Sequence, residues 1–190
     1  TMHKQVRVSF VERENIDMIQ GLLNNHPPLC LMGIIKEDKR ELAELDLQKM
    51  FYRVIGECKI YALLREKHPL AQQKAVTTRT LLKYPMALYQ ASEKVANSML
   101  EYMQMFGKVQ IVVQTNNIEV YRRYIIGDDV GGVIPQFNNQ YLQTDSDGTV
   151  LVPVKDFPVM KIVCLSDIKY YQKKQKLIDI FLQNLQEVLG

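Results

Sequence analysis

Val109-Gln110-Ile111-Val112-Val113-Gln114-Thr115-Asn116-Asn117-Ile118-Glu119 is the stretch on which the fold turns. Its first half, Val109 to Val113, is the apolar run of a strand covered on both faces. Its second half is small and polar. Asn116 followed three residues later by Glu119 has the form of a capping box, so a helix starts there. Ile118, Tyr121, Arg122 and Ile125 keep a helical period, and Gly127 stops it. A buried strand running straight into a capped helix is one step of a parallel α/β sheet. Ligands bind at the carboxyl edge of such a sheet. A helix N-terminus there offers free N–H groups and partial positive charge to a carboxylate or phosphate. An ordinary cap without a ligand fits the same residues, and from them alone the two readings stand level.

The rest of the chain repeats the alternation. Upstream, Val6, Val8 and Phe10 alternate with polar residues as in a half-buried strand. Ile16, Ile19, Leu22 and Leu23 follow at helical spacing, and Pro27-Pro28 ends that helix. Leu29 to Ile35 is a near-continuous apolar run, which suits a parallel strand. Lys36 to Leu45 is charged and loop-like or a short helix. Met50 to Ile55 and Lys59 to Leu64 read as two strands. A helical stretch over Val76 to Lys83, a short strand over Met86 to Tyr89 and a strong helix over Ser92 to Phe106 come next. Downstream, Val130 to Pro135 is a short Gly-rich strand, Tyr141 to Pro153 alternates between turns, and Met160 to Leu165 is another strand. Lys173 to Leu189 is a helix with a broad apolar stripe from Leu177 to Leu189. Strands alternating with helices give an α/β class with mostly parallel sheets.

Composition bounds the function. The chain has 190 residues, 24 Lys+Arg against 21 Asp+Glu, and a formal net charge of +3. That balance excludes holding nucleic acid by bulk charge. Lys36 to Arg40 and Lys169 to Lys176 are interleaved with Asp, Glu or Gln, which is the pattern of a solvated face. No apolar run approaches the roughly 18 residues of a membrane span, and Thr1 to Gln5 lacks the apolar core of a secretory signal. Cys30, Cys58 and Cys164 are far apart and lie without a Cys-x-x-Cys pair, as buried reduced thiols do. His3, His26 and His68 have no metal-ligand spacing. The sequence has no nucleophile elbow, no P-loop and no Gly-x-Gly-x-x-Gly after a strand. No catalytic residue, metal or cofactor is therefore assigned. The Gly131-Gly132 pair reads as a tight strand entry more readily than as a phosphate cradle.

Several blocks, taken in order, resemble LysR-type transcriptional regulators. Leu63-Leu64-Arg65-Glu66-Lys67-His68-Pro69-Leu70-Ala71 resembles that family's His-Pro-Leu-Ala segment. Leu81 to Met86 resembles the helix and Pro-containing strand entry that follow it. Val109 to Glu119 resembles the strand, Asn cap and helix, and Ile125 to Pro135 the Gly-x-Gly block ending in Pro. Met160 to Leu165 with the terminal helix completes the order, so the resemblance covers most of the chain.

The resemblance implies the effector-binding, or substrate-binding, domain of such a cytoplasmic regulator. It implies a two-lobed α/β fold like a type 2 periplasmic binding protein, with mostly parallel sheets and a two-strand hinge near Ile60 to Leu64 and Met160 to Leu165. Residues 1–64 and 162–190 form lobe I, and 65–161 lobe II. A small-molecule effector of anionic character binds in the cleft between Glu14, Asn15, Ile35 and Lys36 of lobe I and Tyr89, Gln90, Ala91, Thr115, Asn116, Gly131, Gly132 and Val133 of lobe II. A homodimer, tetrameric in a full-length regulator, forms through Val6, Val8, Phe10, Gln110, Val112, Ile118, Tyr121, Arg122 and Ile125. DNA is contacted only through an N-terminal winged helix-turn-helix, for which these residues hold no counterpart. The first strand and helix of lobe I also have no clear match. Two other classes share the fold. A transporter's solute-binding protein is one. An enzyme is the other, and it needs an acid/base pair for which only Glu14, Lys36 and amides offer themselves.

Overall fold

A single 16-residue strand, Met50–Arg65 (β2), organises the molecule. The sequence predicts two strands here, parted near Gly56, but no turn-forming pair separates them. Ile55 is instead the extra residue of a register shift against the neighbouring strand, between Val54 and Gly56, and a bulge of this kind bends a strand without ending it. The computed structural model describes residues 29–35, 50–90, 93–136 and 148–189. The strand and helix expected over Gln5 to Leu23, and Lys36 to Leu45, lie outside them.

Along β2 the partners change. From Met50 to Cys58 it pairs antiparallel with Met160–Asp167 (β7), ending at Cys58 opposite Met160. From Lys59 onward its other edge pairs antiparallel with Gly131–Gln136 (β5), beginning at Lys59 opposite Gln136. From Tyr61 to Arg65 it also pairs with Thr149–Pro153 (β6). Cys30–Ile35 (β1) lies on the far side of β7. Met86–Tyr89 (β3) runs parallel to both β5 and Ile111–Thr115 (β4), and β4 closes the order β1-β7-β2-β5-β3-β4. Among the described strands, parallel pairing is thus confined to β3 and its neighbours. The antiparallel pairs among them arise because the chain crosses twice between the two parts of the sheet, and each crossing strand pairs antiparallel.

Four helices are described: Thr78–Leu81 (α1), Glu93–Gln104 (α2), Ile118–Gly127 (α3) and Ile168–Leu189 (α4). The helix expected from Val76 shortens to α1, because Val76 forms a parallel bridge with Val154 and is held extended. Thr77 then caps α1, its side chain accepting from Thr80 N–H. α4 is longer than its apolar stripe suggests and kinks at Lys174, whose backbone leaves the helical region.

One apolar cluster runs through both parts of the sheet. Ile55, Cys58, Ile162, Cys164, Ile178 and Leu182 lie on one side of the crossing, and Ala62, Leu64, Leu81, Met86, Met99, Met103 and Val133 on the other. Each fully buried side chain of Leu size contributes roughly 1.5–3 kcal/mol by leaving water, so this continuity is the main force holding the crossing strands in register. α4 is fastened to β2 by a polar group as well. Arg53 pairs with Asp179 at 2.9 Å, the Tyr171 hydroxyl donates to Asp179 at 3.1 Å, and Tyr171 stacks on Phe51 with ring centres 3.5 Å apart. The segment returning to β7 is fastened to α1 and α2. The Asp156 carboxylate accepts from Thr78 N–H at 2.8 Å and from the Thr78 hydroxyl at 3.0 Å, and the Tyr102 hydroxyl donates to the Asp156 carbonyl.

Candidate functional site

The carboxyl ends of four strands lie along one edge of the sheet, on either side of the place where β2 changes partners. β3 and β4 end side by side at Tyr89 and Thr115, tied by a bond from Gln90 N–H to the Thr115 carbonyl at 2.8 Å. The β3–β5 register pairs Met86 with Gly131 and Ala87 with Gly132, so the two strands run side by side in the same direction. Gln136, at the end of β5, pairs with Lys59. The adjacent Cys58 pairs with Met160, and Met160 pairs with Ile35 at the end of β1. The ends of β1, β3, β4 and β5 therefore lie along the same edge of the sheet, with β5 ending at Lys59 and β1 ending one strand beyond Cys58. α2, which follows β3, brings its Cα atoms within 8 Å of those of β1 across this junction.

Of the expected ligand residues, this edge holds Ile35, Tyr89, Gln90 and Thr115. Glu14, Asn15, Lys36 and Ala91 lie outside the described residues. Gln136, which the sequence reading missed, is buried at the same edge. A polar residue after the Pro of the Gly-rich block was the signal available for it.

Gly131, Gly132 and Val133 sit elsewhere. They open β5 rather than end it, and all three are buried. A Cβ on Gly131 would meet Leu81 Cδ1 at 2.9 Å, and one on Gly132 would meet Tyr121 Oη at 2.0 Å and Ile125 Cδ1 at 2.8 Å. The strand is glycine here because side chains pack directly on it, Leu81 of α1 against Gly131 and Tyr121 and Ile125 of α3 against Gly132.

The cap of α3 also differs from expectation. Asn117, not Asn116, occupies it: its side chain accepts from Glu119 N–H at 2.9 Å and Val120 N–H at 3.2 Å. Thr115 Oγ1 accepts in turn from Asn117 N–H at 3.0 Å, and Asn116 is exposed. The Asn117, Glu119 and Val120 amides, donors on which an anion would rely, are thus taken by the chain's own oxygens. The polar side chains at this edge are those of Gln90, Thr115 and Gln136, beside the Tyr89 ring.

The expected interface residues divide in the same way. Val112 and Ile118 are exposed, on an edge strand and the helix beside it, and Gln110 is exposed too, while Arg122 is half-buried. Tyr121 and Ile125 are 0% exposed and belong to the core with Leu63, Ala87 and Val130. The Tyr121 hydroxyl donates to the Val133 carbonyl at 3.3 Å, and burial holds its ionisation far above the usual tyrosine range. The apolar residues that α3 turns outward are Ile118, Val120, Tyr124 and Ile126. Val6, Val8 and Phe10 lie outside the described residues.

Burial pushes the Cys30 thiol up to about 11, and the Cys58 and Cys164 thiols up to about 12, so all three stay protonated near neutrality. Among the described residues, no group of three His, Cys, Asp or Glu could hold a metal ion, and no helix is long and apolar enough to cross a membrane.

No family model matches the sequence, and no curated relative is found for it. Solved structures do resemble it. HinK, a LysR family transcriptional regulator from Pseudomonas aeruginosa, is similar with a TM-score of 0.68 at 17% identity, covering 92% of this chain and 58% of HinK. A full-length OxyR from Pseudomonas aeruginosa gives a TM-score of 0.68 at 11% identity, over 90% of this chain and 54% of OxyR. The reduced OxyR regulatory domain from the same organism gives 0.67 at 11% identity, over 89% of this chain and 77% of that domain. The chain thus spans a little over half of the full-length regulators it resembles, and about three quarters of the regulatory domain alone. Its fold is that of a LysR-family regulatory domain, the two-lobed α/β architecture of the type 2 periplasmic-binding-protein kind.

Proposed function

We propose that the chain is the effector-sensing domain of a LysR-type DNA-binding transcriptional regulator. The observation that carries this reading is that β1, β3, β4 and β5 end along one edge of the sheet, on either side of the partner change at Cys58 and Lys59, the position expected for a ligand held between two lobes. The boundary between the lobes falls at the partner change, Cys58–Lys59 on β2 and Met160 on β7. A small molecule contacts Ile35, Tyr89, Gln90, Thr115 and Gln136. Glu14, Asn15, Lys36, Ala91 and Asn116 complete its surroundings, and Lys36 is the reason to expect an anion. By binding one relative setting of the lobes better than another, the ligand shifts their equilibrium. A homodimer built on the outward apolar face of β4 and α3 passes that shift to a winged helix-turn-helix, which contacts DNA. The regulator works in the cytoplasm and catalyses no reaction. The solved structures it resembles are regulators, which favours this reading over a transporter's binding protein.

Thermal-shift and calorimetric screening against small carboxylates, amino acids and phosphates tests the proposal. At least one anion stabilises the protein, and Thr115→Ala weakens that binding at least several-fold. A screen in which only neutral or cationic compounds bind overturns the anionic assignment. Unchanged affinity in Thr115→Ala overturns the site.

A further inference from the structure

His68 stands in the turn that follows β2, at the end of the strand remote from Cys58 and Lys59. Its side chain is 2% exposed. The turn is built on it. His68 N–H donates to the Arg65 carbonyl at 3.0 Å and Ala71 N–H to the His68 carbonyl at 2.9 Å. The ring itself accepts at Nδ1 from Leu70 N–H at 3.1 Å. A side chain accepting from the backbone two residues on is the closure that Asn or Asp usually supplies. Accepting at Nδ1 fixes the neutral ring with its proton on Nε2, and Nε2 is buried without a hydrogen-bond partner among the described residues. The Tyr84 ring covers it, with centres 4.5 Å apart.

Protonation attacks this arrangement twice. It makes Nδ1 a donor pointed at another donor, Leu70 N–H, so the bond that closes the turn is lost. It also puts a positive charge where no oxygen accepts from it. Among the described residues, three groups act on the ring: Arg65 at the end of β2, Asp129 between α3 and β5, and Tyr84 after α1. Asp129 favours the charged ring and Arg65 opposes it, and the two are paired with each other at 2.7 Å. Burial is the largest influence and holds His68 below the ordinary histidine range.

We propose that His68 makes the turn at residues 66–71 proton-sensitive: closed when the ring is neutral, opened when it is charged. Leu70, 6% exposed, anchors the turn in the core. Glu66 N–H ties it to β6 through the Gly148 carbonyl at 2.9 Å. Opening therefore loosens the end of the sheet where Arg65 holds Asp129. This proposal does not depend on the functional reading above.

The sign follows from linkage. The unfolded chain binds the proton with the ordinary histidine pKa of about 6.5 and the folded chain binds it more weakly. Stability is complete above about pH 6.5 and falls as pH drops below it. The test compares wild type with His68→Asn, whose side-chain carbonyl replaces Nδ1 as acceptor and does not titrate. Between pH 7.5 and 5 the wild-type unfolding constant, and the exchange of the Leu70 and Ala71 amides, rise relative to the variant by up to about tenfold per pH unit below 6.5. Equal pH slopes in the two proteins overturn the proposal. If His68→Asn does not fold, the wild-type ring decides alone by NMR: a His68 resonance titrating at or above the ordinary range, with the Leu70 amide unmoved, overturns it, and a depressed titration accompanied by loss of the Leu70 bond supports it.

Discussion

Gly132→Ala separates a packing glycine from a ligand-facing one. Gly132 lies in β5 with ordinary extended backbone, so alanine brings no backbone strain, and the whole effect comes from the added methyl group. That carbon arrives 2.0 Å from Tyr121 Oη, 2.6 Å from Cζ and 2.8 Å from Ile125 Cδ1. Tyr121 is 0% exposed and cannot swing into solvent. Overpacking a core of this kind costs about 1–3 kcal/mol. Displacing the Tyr121 hydroxyl from the Val133 carbonyl leaves a buried polar group unmet, which costs about 1–3 kcal/mol more. The sum, about 4 kcal/mol, is a large share of the roughly 5–15 kcal/mol that holds a domain folded. For a chain of this size it lowers Tm by about 8–16 °C. Urea unfolding followed by circular dichroism measures it, with the slope expected to stay constant. Gly127→Ala is the control: nothing lies within 4 Å of its Cβ, and it stays within about 0.5 kcal/mol of wild type. Tyr121→Leu should relieve part of the Gly132→Ala cost, giving a favourable coupling of at least about 1 kcal/mol. A Gly132→Ala protein as stable as wild type but unable to bind effector would refute the packing account.

Two further substitutions probe the supports of the site. Asn117→Ala should cost about 1 kcal/mol by freeing the Glu119 and Val120 amides, whereas Asn116→Ala should be neutral in thermal unfolding; the reverse order would return the cap to Asn116. Asp156→Ala removes both acceptor contacts to Thr78, whose side chain is 0% exposed, and should cost about 1–3 kcal/mol while raising amide exchange in α1 before other helices. Uniform exchange across the molecule would argue against a local fastening.

The fold was legible from alternation: the apolar runs at Leu29 to Ile35, Met86 to Tyr89 and Met160 to Leu165 hold strands, and the helices Glu93–Gln104 and Ile118–Gly127 fall inside the stretches their periods marked. The failures share a cause. A single sequence records local preference, and the disputed positions are decided by partners far along the chain. Gly56 resembles a break, but β7 carries β2 past it with a bulge at Ile55. Val76 resembles a helix start, but Val154 holds it extended. Asn116 and Asn117 differ by one residue, and only the backbone's exit from Thr115 selects between them. Gly131 and Gly132 look like room for a ligand, and the room is filled by Leu81 from α1 at the first and by Tyr121 from α3 at the second. Tyr121 and Ile125 look like one face of a helix available to a partner. The sheet occupies that face, and the outward one, with Val120, Tyr124 and Ile126, carries enough apolar residues of its own to blur the period. That Tyr89 and Thr115 end strands was legible from where their apolar runs stop. The place of Gln136 at the same edge was not, because it rests on the pairing with Lys59.

Amide chemical-shift mapping with a stabilising anion from the screen tests the central claim most directly. The account predicts the largest shifts at Ile35, Gln90, Thr115, Gln136 and Lys59, on both sides of the partner change at once, with Gly131 and Gly132 little affected. Shifts confined to one side, or centred on the buried start of β5, would contradict it.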